Sequence, residues 1–350
     1  MSTPVFYLED RLEEPIDGQA WRVGFSITTV KSDGALFKSA TPFGSVDEAY
    51  ECLYIWKQLG YKGAPSSPAS FFRKTLFQMK NEGKVRFRPR AFANRLAGGT
   101  YLRAGWQEAA PGFWRRKVYH YDINKAYYWA GRQGLPIDLK PYQPGDRPAV
   151  VCMDVRGARA ELPRLFDRER LLVTTEDIDL YGLEGRVIDG VTWSTEDAVL
   201  DPVFDRLKKI LPPYSYKVCT QSYWGMFAVQ KPVVMESYKD DRRVRTTKLP
   251  MYGQHMPWAV VIVNRIVRKV YRAWIAHRAI RCFVDSVLCL DPMDTGDKPG
   301  QWSLEGEYPK GVYIESPGTW TELPRPRNYL EWTKHAGISS DRYLTHQTTV

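Results

Sequence analysis

An α+β fold is predicted from the order and type of the elements. Strand-like and helix-like runs alternate, no internal repeat is present, and no Gly-rich phosphate loop joins a strand to a helix. Without that loop a doubly wound nucleotide fold is not expected. At 350 residues, 43% hydrophobic and 13% aromatic, the chain can hold two domains or one elaborated core. Those figures also exclude disorder for its bulk, because disordered chains are poor in apolar and aromatic residues.

The N-terminal region, residues 1–62, mixes short strand-like runs such as Trp21–Thr29 with a helix over Val46–Leu59. Ser45 caps that helix and Glu48 follows three residues on. Gly60–Ser70 (GYKGAPSSPAS) reads as a loop and an early boundary. Phe71–Phe92 then interleaves Arg73, Lys74, Lys80, Lys84, Arg86, Arg88 and Arg90 with five phenylalanines. Basic groups match phosphates and aromatic rings stack on bases. The alternative is an amphipathic helix and strand whose phenylalanines are core. Gly98-Gly99 leads through Tyr101–Trp106 to a second basic cluster, Arg115-Arg116-Lys117.

Directly after it, Val118–Ala130 (VYHYDINKAYYWA) contains the strand formers Val118, Tyr119, Tyr121 and Ile123 around Asp122. Asn124 turns the chain, and Lys125–Ala130 can start a helix. Gly134–Pro148 is a proline-rich connection. Ala149–Arg156, Leu171–Thr175 and Val187–Trp193 read as strands, with a short turn or helix at Asp177–Gly182. Asp197–Leu211 is a helix with Val199, Val203, Phe204, Leu207 and Leu211 on one face, ended by Pro212-Pro213. Tyr216–Val229 reads as a second helix antiparallel to it. The charged, hairpin-like Tyr238–Lys248 precedes the clearest helix, Pro257–Ala276, whose Trp258, Val261, Ile262, Ile266, Val270 and Trp274 form a stripe. Ile280–Leu290 is two strands around a tight turn, and Trp302–Ile314 is strand-rich.

A formal charge of +10 and a pI of about 9.2 suit a polyanionic partner. The five cysteines, Cys52, Cys152, Cys219, Cys282 and Cys289, are odd in number and form no CxxC pair. A zinc ribbon and a disulfide framework are therefore not expected, and a reducing compartment is. No apolar run approaches about 18 residues. MSTPVFYLEDRLEE is not a signal peptide. The expectation is a soluble, cytoplasmic protein with no membrane partner.

Three stretches carry the chemistry: Tyr121–Tyr128 (YDINKAYY), Lys217–Phe227 (KVCTQSYWGMF) and Arg281–Leu288 (RCFVDSVL). On a helix, Lys217, Gln221 and Trp224 fall at i, i+4 and i+7 and share a face. Such a face offers a cation for triphosphate oxygens, an amide, and a flat ring for a base. Gly225 would let a base pair or backbone come close. Asp122 and Asp285, at neighbouring strand ends, supply hard oxygen ligands for Mg2+ or Mn2+.

In this order the stretches resemble the palm of family B DNA polymerases, especially the protein-primed branch of phages and linear plasmids. That family has motifs D-x-x-S-L-Y-P, K-x-x-x-N-S-x-Y-G and Y-x-D-T-D-S. Asp122, Tyr127 and Tyr128 stand at the Asp, Tyr and Pro places of the first motif. Lys217, Gln221, Ser222, Trp224 and Gly225 stand at the Lys, Asn, Ser, Tyr and Gly places of the second, and Asp285-Ser286 matches the end of the third. Gly98-Gly99 resembles the family's Gly-Gly motif, and Gly300–Thr319 (GQWSLEGEYPKGVYIESPGT) its segment after the third motif. Three departures stand against the match. Phe283 replaces the first Asp of D-T-D-S; Lys125, Gln221 and Trp224 replace other motif residues; and residues 1–95 hold no recognisable set of exonuclease carboxylates.

The resemblance implies an antiparallel-sheet palm in residues 96–196 and 230–320, with reduced helical fingers in 197–229. It also implies a small α+β nucleic-acid-binding region in 1–95 and a short tail or vestigial thumb in 321–350. The implied setting is a bacterial cell or a phage-infected host. The implied reaction is template-directed addition of a nucleoside triphosphate to a DNA primer 3′-hydroxyl. Asp122, Asp285 and the Ile123 carbonyl would hold two Mg2+ or Mn2+ ions, Lys217 would balance triphosphate charge, and Tyr127 would stack under the sugar. Arg73, Lys74, Arg86, Arg88, Arg115, Arg116 and Lys117 are the candidate contacts to DNA. A priming or replisome protein is a further implied partner. Two other readings stay open: a primase-like polymerase that starts chains de novo, and an inactive palm serving as a DNA-binding replication subunit.

Overall fold

Two long strands, β1 (Val5–Ile16) and β2 (Gln19–Val30), pair antiparallel and take β3 (Leu36–Lys38) on the far edge of β2. The computed structural model describes residues 5–16, 19–30, 36–38, 45–61, 69–85, 106–158, 170–228, 233–239, 242–249 and 255–323. Arg86, Arg88, Arg90, the Gly98-Gly99 pair and the C-terminal tail from 324 onward lie outside them. Helix α1 (Val46–Gln58) starts where its cap predicts, with the Ser45 hydroxyl accepting from the Glu48 N–H at 3.1 Å. Helix α2 (Ala69–Asn81) follows.

Strands β4 (Trp106–Ala109), β5 (Gly112–Trp114) and β6 (Val118–Ile123) lead into the short helix α3 (Ala126–Arg132). The proline-rich connection is not irregular throughout: it holds β7 (Leu135–Ile137) and β8 (Lys140–Pro141). Next come β9 (Ala149–Gly157), β10 (Arg170–Thr174), α4 (Thr175–Tyr181), β11 (Glu184–Thr192) and β12 (Thr195–Asp197). Helix α5 (Asp201–Ile210) begins later than predicted, because residues 195–197 pair with β7 and Pro202 must sit in a first turn. Helix α6 (Pro213–Phe227) begins earlier than predicted for the same reason. The Pro212-Pro213 pair that stops one helix starts the next. The hairpin β13 (Val233–Lys239) and β14 (Arg242–Leu249) precedes α7 (Met256–Ala276). Strands β15 (Ala279–Val284), β16 (Ser286–Cys289), β17 (Trp302–Tyr308), β18 (Val312–Ser316) and β19 (Thr319–Glu322) close the described chain. Among the described residues no helix is long and apolar enough to cross a membrane.

The chain divides into two units, Met1–Pro89 with Ala198–Gln254, and Arg90–Asp197 with His255–Val350. In the first, α2, α5 and α6 meet around an aromatic cluster. The Phe72 ring lies 4.7 Å from Tyr223, 5.5 Å from Phe204 and 6.3 Å from Phe227. Phe71 and Phe72 are wholly buried, so these two phenylalanines of the basic segment are core and do not stack on bases. The Glu48 carboxylate caps α6, accepting from the Ser215 N–H at 2.6 Å, where a negative charge meets the positive end of the helix.

In the second unit an antiparallel sheet of order β17-β6-β16-β15-β4 has α7 against one face, over β15 and β16. A small sheet, β19-β18-β5, packs by Val312, Ile314 and Trp320 against Val118, Ile280 and Leu288 of the larger one. A second antiparallel sheet, β10-β9-β11-β8, flanks α7 through β10. Arg268 of α7 ties the two together underneath: it donates to the wholly buried Asp177 at 2.9 Å and to the Thr174 hydroxyl at 2.9 Å.

His255, 3% exposed and stacked on Trp258 at 4.5 Å, opens α7. Burial pushes its pKa down to about 3 from an ordinary 6.5. The unfolded chain therefore binds a proton below about pH 6.5 that the folded chain refuses. Stability is expected to be flat above that pH and to fall below it, by up to about 1.4 kcal/mol per pH unit. His120, also driven to about 3 by burial and then by Arg281, is less completely shielded and adds a smaller share. Urea midpoints at neutral and mildly acidic pH check this. In His255→Phe, which keeps a ring against Trp258, the slope should flatten.

Candidate active site and nucleic-acid surface

Strand β6 is the centre of the site because β17 and β16 flank it on its two edges. Its Val118, Tyr119, Tyr121 and Ile123 are the residues a half-buried strand prefers, and side chains alternate between its faces. Tyr121 and Ile123 are buried; Asp122 lies on the opposite face from them. Asp122 pairs with Ser286 of β16 and with Ser303 of β17, and Ser286 in turn pairs with Phe283, which pairs with Gln107. One row thus crosses the sheet: Ser303, Asp122, Ser286, Phe283, Gln107. Phe283, at the place where the resemblance leads one to expect a carboxylate, occupies this row two strands from Asp122.

Asp285 reaches the same end of the sheet from the β15–β16 turn. Its carbonyl accepts from the Ile123 N–H at 3.0 Å, one ladder step from the Asp122–Ser286 pair. The turn is two residues long, Val284 and Asp285, and Val284 sits at φ +60°. A β-branched residue in that region is strained, and such strain clusters where a turn must aim a side chain. The Ser286 hydroxyl donates to the Phe283 carbonyl across the turn at 3.2 Å. On the β6 side, Asn124 donates from its N–H to the Gln301 carbonyl at 2.8 Å and accepts from Gly300 at 2.7 Å. Lys125 then takes a left-handed φ of +49° to start α3. The sequence identified Asn124 only as a turn residue; its second role is to lock the Asp122 strand end to the 296–301 loop.

The donor set fits a hard divalent cation. Asp285 is 9% exposed and the Oδ1 of Asp122 is closed to solvent, so both carboxylates offer hard oxygen donors at a shielded end of the sheet. Among the described residues there is no cluster of three or more His, Cys, Asp or Glu, so the carboxylates of such a site would be these two. Asp291 and Glu305 do not add to it: Asp291 is engaged by Arg278 at 2.6 Å, and Glu305 is exposed.

The second expected motif lies on α6, in the other unit. Cys219, Tyr223 and Phe227 face the core there, leaving Lys217 and Gln221 exposed and Trp224 half-buried on the outer face. A Cβ added at Gly225 would meet nothing within 4 Å, so packing does not require glycine at that position. Tyr127 is half-buried in the first turn of α3. Of the basic residues, Arg73 is exposed, Lys74 lies 5.5 Å from the Tyr61 ring, and Arg115 and Arg116 are exposed. Lys117 is held by Glu307 at 2.7 Å and lies over Tyr119. Beside Arg115 lies an aromatic pair that the sequence alone does not reveal. Phe113, 58% exposed, packs against Tyr313 with ring centroids 4.6 Å apart and planes tilted by 40°, and the Arg115 guanidinium lies 5.7 Å from its ring. Cross-strand pairing of β5 with β18 creates it, and no local pattern announces such a pair.

Solved structures of Phi29 DNA polymerase share this fold. The complex with primer-template DNA gives a TM-score of 0.54 at 15% identity, over 78% of this chain and 57% of that one. The complex with single-stranded DNA gives 0.53 at 15%, and the ternary complex with primer-template DNA and incoming nucleotide 0.50 at 15%, each over 77% of this chain. The chain thus spans 57% of the length of the polymerase it matches. No family model matches the sequence, and no curated protein matches it either. At this identity the likeness is one of fold: the chain has a DNA polymerase-like fold.

Proposed function

We propose that the chain is a nucleotidyltransferase that extends a DNA primer by template-directed addition of nucleotides, releasing pyrophosphate, in the manner of a minimal family B polymerase. The observation that carries it is the meeting of Asp122 and Asp285 at one end of the β17-β6-β16-β15-β4 sheet, within a fold like that of Phi29 DNA polymerase. Asp122, Asp285 and the Ile123 carbonyl would hold two Mg2+ or Mn2+ ions. Such ions supply Lewis-acid activation of the primer hydroxyl and neutralise charge on the leaving pyrophosphate.

The protein's own part is positioning and electrostatics. Lys217 offers an exposed ammonium to the triphosphate, with Gln221 and Trp224 on the same helix face. Tyr127 supports the sugar. Arg115, Arg116, Phe113 and Tyr313 combine cations with neighbouring aromatic rings, the pairing that grips a nucleic-acid strand with little sequence preference. Phe283 in the Asp122 row favours a second reading, an inactive palm that only binds DNA.

The test is nucleotide incorporation on single-stranded template, with and without primer, in Mg2+ or Mn2+. Absence of product under every condition sinks the enzymatic reading and leaves the binding one. Product without primer identifies de novo initiation. Gly225→Ala separates site from scaffold: it should stabilise α6 by about 0.5–1 kcal/mol, because alanine is the better helix former and space is open. Incorporation should nevertheless fall, since the added methyl crowds the face proposed for the base pair. A more stable protein with unchanged activity would remove Gly225 from the site.

A further inference from the structure

On the other face of the same sheet, away from the aspartates, lies a cavity of about 540 Å3, within the range of small-ligand sites. Trp302 is the in-register partner of Ile123 and so projects to the face of β6 opposite Asp122, towards α7. Four cations of α7, Arg265, Arg268, Lys269 and Arg272, recur at helical spacing and line the cavity with Trp129 and Trp302.

Two of these cations are structural. Arg265 is spent on the Ala130 and Gly134 carbonyls at 3.1 and 2.5 Å and on Glu196 at 3.3 Å. Arg268 is spent on Thr174, Asp177 and Glu176. Arg272 is 65% exposed and only reaches Glu176 at 3.5 Å. Lys269 is different. Its ammonium is 5.7 Å from the Trp129 ring and 5.6 Å from the Trp302 ring, and among the described residues no carboxylate lies within ion-pairing distance of it. Burial, and then the neighbouring Arg272, lower its pKa, so the folded protein keeps this charge at a cost. The Trp129 wall is fixed: it lies against Gly300, where an added Cβ would stand 2.3 Å from the indole and the φ is +84°.

A half-buried ammonium between indole rings, with an exposed guanidinium one turn away, matches an aromatic ligand that carries phosphate. We propose that this cavity binds a nucleoside phosphate, free or as the 5′-phosphorylated end of a nucleic-acid strand, with phosphate on Lys269 and Arg272 and the base against Trp129 or Trp302. The inference does not rest on the catalytic reading, since the cavity shares no residue with the Asp122 row.

Binding of ATP to the full chain in EDTA, followed by titration calorimetry, tests it. Saturable binding is expected in wild type and in the Asp122→Asn, Asp285→Asn double variant. Lys269→Met keeps the aliphatic stem and removes the uncompensated charge; it should melt at or above the wild-type temperature and bind ATP about tenfold more weakly or worse. Arg272→Gln, at an exposed position, should weaken binding likewise and serves as the readout if Lys269→Met melts early. Competition by a short 5′-phosphorylated oligonucleotide, but not by its 5′-hydroxyl twin, identifies a strand end as ligand; competition by neither identifies the free nucleotide. No saturable binding, binding unchanged in both variants, or equal competition by polyglutamate overturns the proposal.

Discussion

Asp285→Asn should lower nucleotide incorporation by about a thousandfold or more, on the order of 4 kcal/mol of transition-state stabilisation, with fold and DNA affinity retained. The amide preserves the volume of the side chain in its turn but not its charge. Asp285 and Asp122 are the carboxylates such a site would have, since the neighbours of Asp122 in the row are Ser286 and Ser303, Phe283 stands beyond Ser286, and no third acidic group joins them among the described residues. Asp122→Asn should be equally damaging, and the double variant little worse than either single one, because groups that act as a unit lose their effect together. Single-turnover incorporation with a parallel DNA-binding assay reads both quantities. Activity of Asp285→Asn within about threefold of wild type would mean that the site is wrongly assigned even though the fold is polymerase-like.

The second large effect concerns stability. Asp177 has no exposure and accepts from Arg268, which is itself nearly buried, while Thr174 and Asp177 cap α4 reciprocally. Burial pushes the Asp177 carboxyl up, opposed first by Arg268 and then by Thr174. Such a pair adds little net stability over an apolar replacement, but removing Asp177 leaves the nearly buried Arg268 with only the Thr174 hydroxyl and the exposed Glu176. Asp177→Ala should therefore cost about 3–5 kcal/mol, and adding Arg268→Met should recover a large part of it. Equilibrium urea unfolding of the two variants decides the point. A double variant no more stable than Asp177→Ala would show that the cap on α4, not the stranded guanidinium, carries the loss.

The helices with a start signal and a clean stripe were legible in the sequence. Ser45 and Glu48 mark α1, and Trp258 to Val270 mark α7, because cap chemistry and helical period are local properties. The ends of α5 and α6 were misplaced where proline outranked the apolar pattern. Pro202 and Pro213 fix first turns, and residues 195–197 are claimed by a strand partner far away in sequence. The adjacency of Asp122 and Asp285 could be read because each stands in a motif at a strand end. The row that puts Phe283 level with Asp122 is a property of register, which the sequence alone leaves open. The cavity around Lys269 was illegible for a related reason. Its cations look like the solvated side of a helix until Trp129 and Trp302, from elsewhere in the chain, are folded beside them.

The first unit is built from two stretches of chain that are made at different times. Phe72 of α2 leaves the ribosome well before Phe204, Tyr223 and Phe227, the rings it packs against. At about 5–20 residues per second the interval is on the order of ten seconds, far longer than a helix needs to form. Throughout it Phe71 can already meet Trp56 of α1, but Phe72 lacks these three rings. A chain truncated ahead of residue 198 would lack all three of these rings, and its α2 is expected to be less protected from proteolysis than in the full chain.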